Sequence, residues 1–156
     1  AGAIVSFDPN LRFPLWPDRE MLRQTVLQFL PLSNILKVSD EELEFLTGTA
    51  DIEAALPQLF AGNVQLVLYT CGSSGAHAYT RTAHGFAPCR KVRAVDTTGA
   101  GDAFFAGTVI GLTYGKNLAQ SCEIGSRLAA SVICITENVC PRFRPLEFGL
   151  DVPVVD

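Results

Sequence analysis

The chain has 156 residues, 48% of them hydrophobic and 18% charged, a composition that belongs to compact globular proteins and excludes disordered, low-complexity and collagen-like chains. Twelve Lys plus Arg against sixteen Asp plus Glu give a net charge of -4, the wrong sign for a general nucleic-acid or acidic-membrane binder, so any anionic ligand needs a local trap. The five cysteines (Cys71, Cys89, Cys122, Cys134 and Cys140) are odd in number, widely spread and without a C-x-x-C pair, which suggests reduced thiols in a cytoplasmic protein rather than a disulfide framework or a zinc site.

A chain of this size buries roughly 68 to 70% of the surface its unfolded form exposes, enough for a core without disulfides or structural metal. No repeat or linker divides it, so residues 1–156 are expected to form one α/β domain. The longest uncharged run, Ala103 to Gly115, is too short to span a bilayer.

The first element, Ala3 to Phe7, reads as a buried strand ended by the turn Asp8-Pro9-Asn10. A buried strand with nothing ahead of it to cover it predicts that the chain opens at an internal point of a longer protein. A helix follows from Pro17-Asp18 to about Leu30, with Met21, Leu22, Val26, Phe29 and Leu30 near helical spacing. Ile35 to Val38 is a short strand, and Ser39-Asp40-Glu41-Glu42 is a capping box launching a helix that stops at Thr47-Gly48. A weaker helix over Asp51 to Phe60 precedes a β-branched strand over Val64 to Thr70 and the turn Cys71 to Gly75. Ala76 to Val95 reads as strands with turns near Ala83-His84-Gly85 and Pro88. Two apolar segments, about Ala103 to Tyr114 and Leu118 to Thr136, read as buried helices. The end, Pro141 to Pro153, reads as a surface tail. Strands alternating with helices argue for a layered α/β fold with a largely parallel sheet.

Chemistry concentrates in Asp96-Thr97-Thr98-Gly99-Ala100-Gly101-Asp102, between the strand-like Val92 to Val95 and an apolar helix. Gly99 and Gly101 let backbone N–H groups converge, and at a helix start those orphan donors and the macrodipole attract anions such as phosphate. There is no G-x-x-x-x-G-K-[ST], and Phe104 stands where a dinucleotide fingerprint needs Gly or Ala. An anion cradle with a carboxylate in its mouth suits a phosphoryl acceptor: Asp102 takes the proton of an attacking hydroxyl while the loop N–H groups stabilise the transferring group. From spacing alone, Asp102 is equally well a helix-start residue facing the dipole.

Asp96 to Asp102, continuing Ala-Phe-Phe-Ala-Gly, resembles the C-terminal signature of the PfkB family of carbohydrate kinases. The resemblance extends to Phe7-Asp8-Pro9-Asn10-Leu11-Arg12 with Pro14-Leu15-Trp16, and to Lys37-Val38-Ser39-Asp40-Glu41-Glu42-Leu43, both similar to segments of fructokinases. It implies a three-layer α/β/α ribokinase-like fold, the ATP-binding and catalytic C-terminal portion, with the family's N-terminal half and lid absent. It implies ATP-dependent phosphorylation of a primary sugar hydroxyl, fructose first, with Asp102 as base and Gly99, Ala100 and Gly101 as the anion hole. Alternatives within the family are 2-keto-3-deoxygluconate, ribose and nucleoside kinases; outside it, a non-catalytic nucleotide- or sugar-binding module.

The same resemblance gives the other roles. Thr70, Gly72 and Gly75, in a Thr-x-Gly-x-x-Gly loop, together with Thr98, are nucleotide contacts, and Asp8, Asn10 and Arg12 are acceptor contacts at a strand's C-terminal end. Arg12 is suited to clamping a phosphate or carboxylate and otherwise is a solvated loop residue. Glu42 has two readings, capping-box partner or indirect Mg²⁺ organiser, with Ser39 in place of the wider family's Asn. Asp96 is the candidate at a monovalent-cation site, K⁺ in the family. Where the family has a Gly-Ala step this chain has Glu137-Asn138-Val139-Cys140, which leaves the adenine contacts and the K⁺ site unspecified. The implied partners are a small sugar and ATP, without nucleic acid or membrane, and a homodimer formed through the lid. His77 and His84 read as surface or hairpin residues, Trp16 as a packing group, and Glu123 with Arg127 as a helical ion pair.

Overall fold

A computed structural model of the chain describes residues 2–136, 140 and 143–151. The segment Glu137-Asn138-Val139 and the tail positions Pro141, Arg142 and 152–156 lie outside the described residues. Two compact units emerge, one of residues 1–71 and 79–82, the other of residues 72–78 and 83–156.

In the first unit, β1 is Ser6–Phe7, shorter than the expected strand, and it is not buried: Ile4 is 75% and Val5 48% exposed. Among the described residues of this unit, β2 is the one strand beside it. Helix α1, Arg19–Phe29, starts where Asp18 accepts hydrogen bonds from the amides of Glu20 and Met21. Leu22, Val26 and Leu30, one every fourth position, form its buried stripe, whereas Met21 and Phe29 face solvent, so the apolar face is narrower than the sequence suggests. Strand β2, Ile35–Ser39, leads into α2, Asp40–Thr47, through the capping box read from the sequence, and Gly48 in the left-handed region (φ 77°) ends that helix. Helix α3, Ile52–Leu59, is capped by Asp51, and β3 is Leu66–Thr70.

Strands β1, β2 and β3 are parallel, with Phe7 beside Leu36, and Leu36 beside Val67. β2 and β3 end together, Ser39 opposite Thr70, so the turn after β1, Ser39 and Thr70 share one C-terminal edge. The core beneath is leucine-rich: Leu36, Leu43, Leu46 and Leu59 have no exposed surface.

In the second unit, a short turn at Gly72–Ser74 precedes β4, Ala76–Tyr79, whose last residue belongs to the first unit, and β5, His84–Ala87, is the strand beside β4. His84 and Gly85 therefore lie in a strand and not at a turn, and no strand follows Pro88 among the described residues. Val92 to Val95, expected as a strand, is irregular: the amides of Val95 and Asp96 both donate to the Ile133 carbonyl, at 2.7 and 3.3 Å, with no strand neighbour. Helix α4, Ala100–Thr113, begins three residues before the expected start, and α5, Leu118–Ile133, has its own capping box between Asn117 and Gln120.

The two helices meet glycine to glycine. A Cβ on Gly107 would lie 2.8 Å from the Gly125 Cα, and one on Gly125 would lie 2.3 Å from Thr108 Oγ1. Burial along α4 is limited to Phe104, Gly107, Thr108 and Gly111, less than the full burial its composition suggests. The expected surface tail is partly wrong as well: Phe148 and Leu150 are buried against Ile124 and Leu128. Nor do Glu123 and Arg127 pair. Glu123 binds Arg90, while Arg127 donates to the Glu147 carbonyl and lies over the Phe148 ring, 4.8 Å from its centroid. All five cysteines are unbridged, and burial pushes the Cys122 thiol up to about 12. No helix among the described residues is long and apolar enough to cross a membrane.

Candidate functional site

Two sets of the expected residues are built in different ways, one in each unit. In the first unit, the turn leaving β1 carries Asp8, Asn10 and Arg12. Asp8 Oδ1 accepts the Asn10 amide at 3.2 Å, an Asx turn that places Asn10 in the left-handed region at φ 43°. The next amide, Leu11, donates to Glu42 Oε1 at 3.1 Å, and Glu42 Oε2 accepts the Ser39 amide at 2.8 Å. Both oxygens of Glu42 thus hold backbone, one on its own helix cap and one on the loop after β1.

A residue that the sequence reading does not single out sits at the centre of this arrangement. Lys37, on β2 and 7% exposed, places its Nζ 3.2 Å from Asp8 Oδ1 and 3.6 Å from Glu42 Oε2. The register explains the meeting: Phe7 lies beside Leu36, so Asp8 follows it to Lys37. The only available signal is a lysine inside an otherwise apolar strand whose neighbours, Leu36 and Val38, are fully buried. Burial raises the pKa of Asp8 above its ordinary value; Lys37 pulls it down, and Glu42 pushes it up. Its second oxygen, Oδ2, is buried and without a hydrogen-bond partner. Arg12 is exposed, and its guanidinium pairs with no carboxylate among the described residues. A cavity of about 240 Å³ is lined by Asn10, Arg12, Lys37, Ser39, Glu41 and Glu42.

In the second unit, the glycine-rich loop folds as expected from its spelling. Gly99 is the residue before α4 and has φ 79°, a conformation that favours glycine, and no side chain caps the helix there. Asp96 turns the loop by accepting the Thr98 amide at 2.8 Å, and that bond holds its carboxyl below the usual range. The Ala100 amide closes the turn on the Thr97 carbonyl at 3.2 Å. The uncapped first turn leaves backbone donors open for an anion, and Asp102 stands exposed in that same turn. Among the described residues Asp102 has no ion-pair partner.

Thr70 ends β3 in the first unit, while Gly72 (φ 49°) and Gly75 (φ 109°) shape the turn that opens the second. His77 and His84 are not isolated, since His77 Nδ1 lies 2.8 Å from His84 Nε2. Among the described residues, no group of three or more His, Cys, Asp or Glu side chains is arranged to hold a metal ion.

Parallel strands joined through helices, with polar loops at their C-terminal edge, define an α/β protein, and the glycine-rich start of α4 is of the kind that attracts anions. The model of the pfkB family of carbohydrate kinases matches residues 1–137, and the chain belongs to that family. It is 50% identical over 106 residues to "Probable fructokinase-2" of Arabidopsis thaliana, covering 67% of this chain and 32% of that one. Among solved structures it is similar to fructokinase from Vibrio cholerae O395 in fructose-, ADP- and calcium-bound form. There the TM-score is 0.75 at 32% identity, over 88% of this chain and 46% of that one. A putative ribokinase II from E. coli shares the fold, with a TM-score of 0.82 at 24% identity over 95% of this chain and 48% of that one. The fold is therefore ribokinase-like, and the chain spans about a third to a half of the length of the relatives it matches.

Proposed function

We propose that the protein transfers the γ-phosphate of ATP to a primary hydroxyl of a sugar, with fructose as the acceptor. The observation that carries this reading is the loop Asp96–Asp102: an uncapped helix start, shaped by Gly99, with the Asp102 carboxylate exposed in its first turn. A carboxylate at an anion-attracting helix start opposes a phosphate ligand unless a proton or cation stands between them. A reacting hydroxyl supplies that proton.

On this reading Asp102 accepts the proton of the attacking hydroxyl, and the amides of Gly99, Ala100 and Gly101 stabilise charge on the phosphoryl group. Thr98, Thr70, Gly72 and Gly75 hold the nucleotide, and Asp8, Asn10 and Arg12 hold the sugar. The Mg²⁺ that accompanies ATP neutralises its phosphate oxygens; Glu42, with both oxygens on backbone amides, assists only through the position of the loop it holds. Asp96 serves K⁺, where K⁺ is used, with the oxygen not engaged by Thr98. Fructose is favoured over 2-keto-3-deoxygluconate, ribose and nucleosides by the fructokinases among the relatives.

The 156 residues form the nucleotide-binding and catalytic portion of such a kinase. A second copy of the chain, paired through the family's lid, and a cytoplasmic setting complete the proposal. The test is ADP release from MgATP by the natural full-length polypeptide against fructose, ribose, 2-keto-3-deoxygluconate and adenosine. Turnover strongest on fructose is expected; turnover strongest on another acceptor reassigns the substrate. Tight binding of ATP and sugar with no turnover on any acceptor leaves a binding module.

A further inference from the structure

We propose that Lys37 is a positioning residue for the acceptor loop: its ammonium holds the two carboxylates, Asp8 and Glu42, that fix residues Asn10 to Arg12. The loop has two side-chain tethers, Asp8 on the Asn10 amide and Glu42 on the Leu11 amide, at 3.2 and 3.1 Å. Both belong to carboxylates that converge on one ammonium, 3.2 Å from Asp8 and 3.6 Å from Glu42. The three side chains are between 9% and 14% exposed, so water screens them little. Without the cation, two carboxylates would face each other in a largely dry place, and the readiest relief is for the Asp8 turn to move away from Glu42. That movement breaks the Leu11 tether and releases Asn10 from a left-handed conformation that non-glycine residues seldom hold unaided.

Lys37 also lines the cavity beside Asn10 and Arg12, yet neither carboxylate leaves it unengaged to clamp a ligand by itself. Its work is on the loop. The kinetic consequence rests on the sugar-kinase reading, whereas the structural one does not, and the experiment separates them.

Amide hydrogen exchange and steady-state kinetics with fructose and MgATP are measured on the natural full-length polypeptide, for wild type, Lys37→Met, Lys37→Arg and Lys37→Met/Glu42→Gln. In Lys37→Met the Leu11 amide is expected to exchange at least tenfold faster, with Val67 and Tyr69 on β3 unchanged. KM for fructose is expected to rise about tenfold or more, with KM for ATP within about twofold and kcat within about threefold. Lys37→Arg restores part of the fructose KM. In the double variant the carboxamide introduced at position 42 has one oxygen left to accept the Leu11 amide, gives up the bond from the Ser39 amide, and carries no second charge. It restores protection at Leu11, and it carries the test should Lys37→Met fail to fold. Unchanged Leu11 exchange in a folded Lys37→Met protein, or an equal rise of both KM values, overturns the proposal. If wild type phosphorylates no sugar, the functional reading falls, and the Leu11 exchange still decides the role of Lys37.

Discussion

Asp8 and Asp102 are carboxylates on two loops, and their surroundings are opposite. Asp8 is held among charges, 3.2 Å from Lys37, with its other oxygen buried and unpartnered. Asp102 is exposed in the first turn of α4 and has no ion-pair partner among the described residues. The first loop takes its shape from side chains that tertiary packing brings together: Asp8 from the end of β1, Lys37 from β2, Glu42 from α2. The second takes its shape from its own backbone, through the positive φ of Gly99 and the Asp96 turn. A site made by packing is as robust as the elements around it, and a site made by local backbone is as robust as the helix that carries it.

The helix pair of the second unit offers the sharpest way to break that contrast. Gly125→Ala would place a methyl group 2.3 Å from Thr108 Oγ1 and 2.6 Å from the Phe104 carbonyl. Overpacking of this kind costs about 1–3 kcal/mol, and thermal or urea unfolding is expected to show it. Loss of stability without any shift in exchange at Leu11 would confirm that the two loops are supported separately. An unchanged midpoint would mean that α4 and α5 have slack that their glycine contacts do not suggest.

A smaller effect is expected at the capping box. Ser39→Ala removes the oxygen that accepts the Glu42 amide at 3.2 Å, a loss of about 1 kcal/mol for a helix cap. Because Glu42 also tethers Leu11, exchange at Leu11 should rise modestly in this variant, and a Leu11 amide indifferent to Ser39 would separate the cap from the loop.

The subtlest test uses pH. Burial raises the pKa of Asp8 in the folded protein above its ordinary 3.8, so the folded state binds this proton more tightly than the unfolded state does. Stability contributed at this site is therefore greatest once Asp8 is protonated and declines as pH rises through the raised value. Asp8→Asn keeps an acceptor for the Asn10 amide and abolishes the titration. Wild type should gain stability relative to Asp8→Asn as pH falls from the raised value toward 3.8. Asp96 has the opposite sign: its pKa is lowered by the Thr98 amide, so its contribution is present above the ordinary value and lost as pH falls through the lowered one.

The same contrast explains what can be read from sequence. The capping box at Ser39 and Glu42 and the stop at Gly48 are local devices, written in adjacent residues, and each appears where the sequence places it; the glycine-rich start of α4 is local too, though the helix begins three residues early. Features that depend on distant partners escape such a reading. Val92 to Val95 has strand-like residues but meets the end of α5 at Ile133 in place of a neighbouring strand. Glu123 and Arg127 have helical spacing, yet Arg90 and the Glu147 carbonyl are better placed. Phe148 and Leu150 lie between prolines in a stretch that reads as tail, and tertiary contact with Ile124 and Leu128 buries them. Lys37 is the clearest case: nothing in its own neighbourhood indicates two carboxylates, because the parallel register of β1 on β2 supplies one and the capping box the other.

The most direct test of the central claim, that the start of α4 is the phosphoryl-transfer centre with Asp102 as its base, is to compare turnover and nucleotide affinity in Asp102→Asn and wild type. The natural full-length polypeptide is assayed for fructose-dependent ADP release, and MgATP affinity is measured by titration calorimetry. A general base contributes about 10²–10⁴-fold, so kcat should fall by that factor while ATP affinity holds or improves with the loss of a negative charge. Retained turnover in a variant that still binds ATP would contradict the account and return Asp102 to a residue that merely faces the helix dipole.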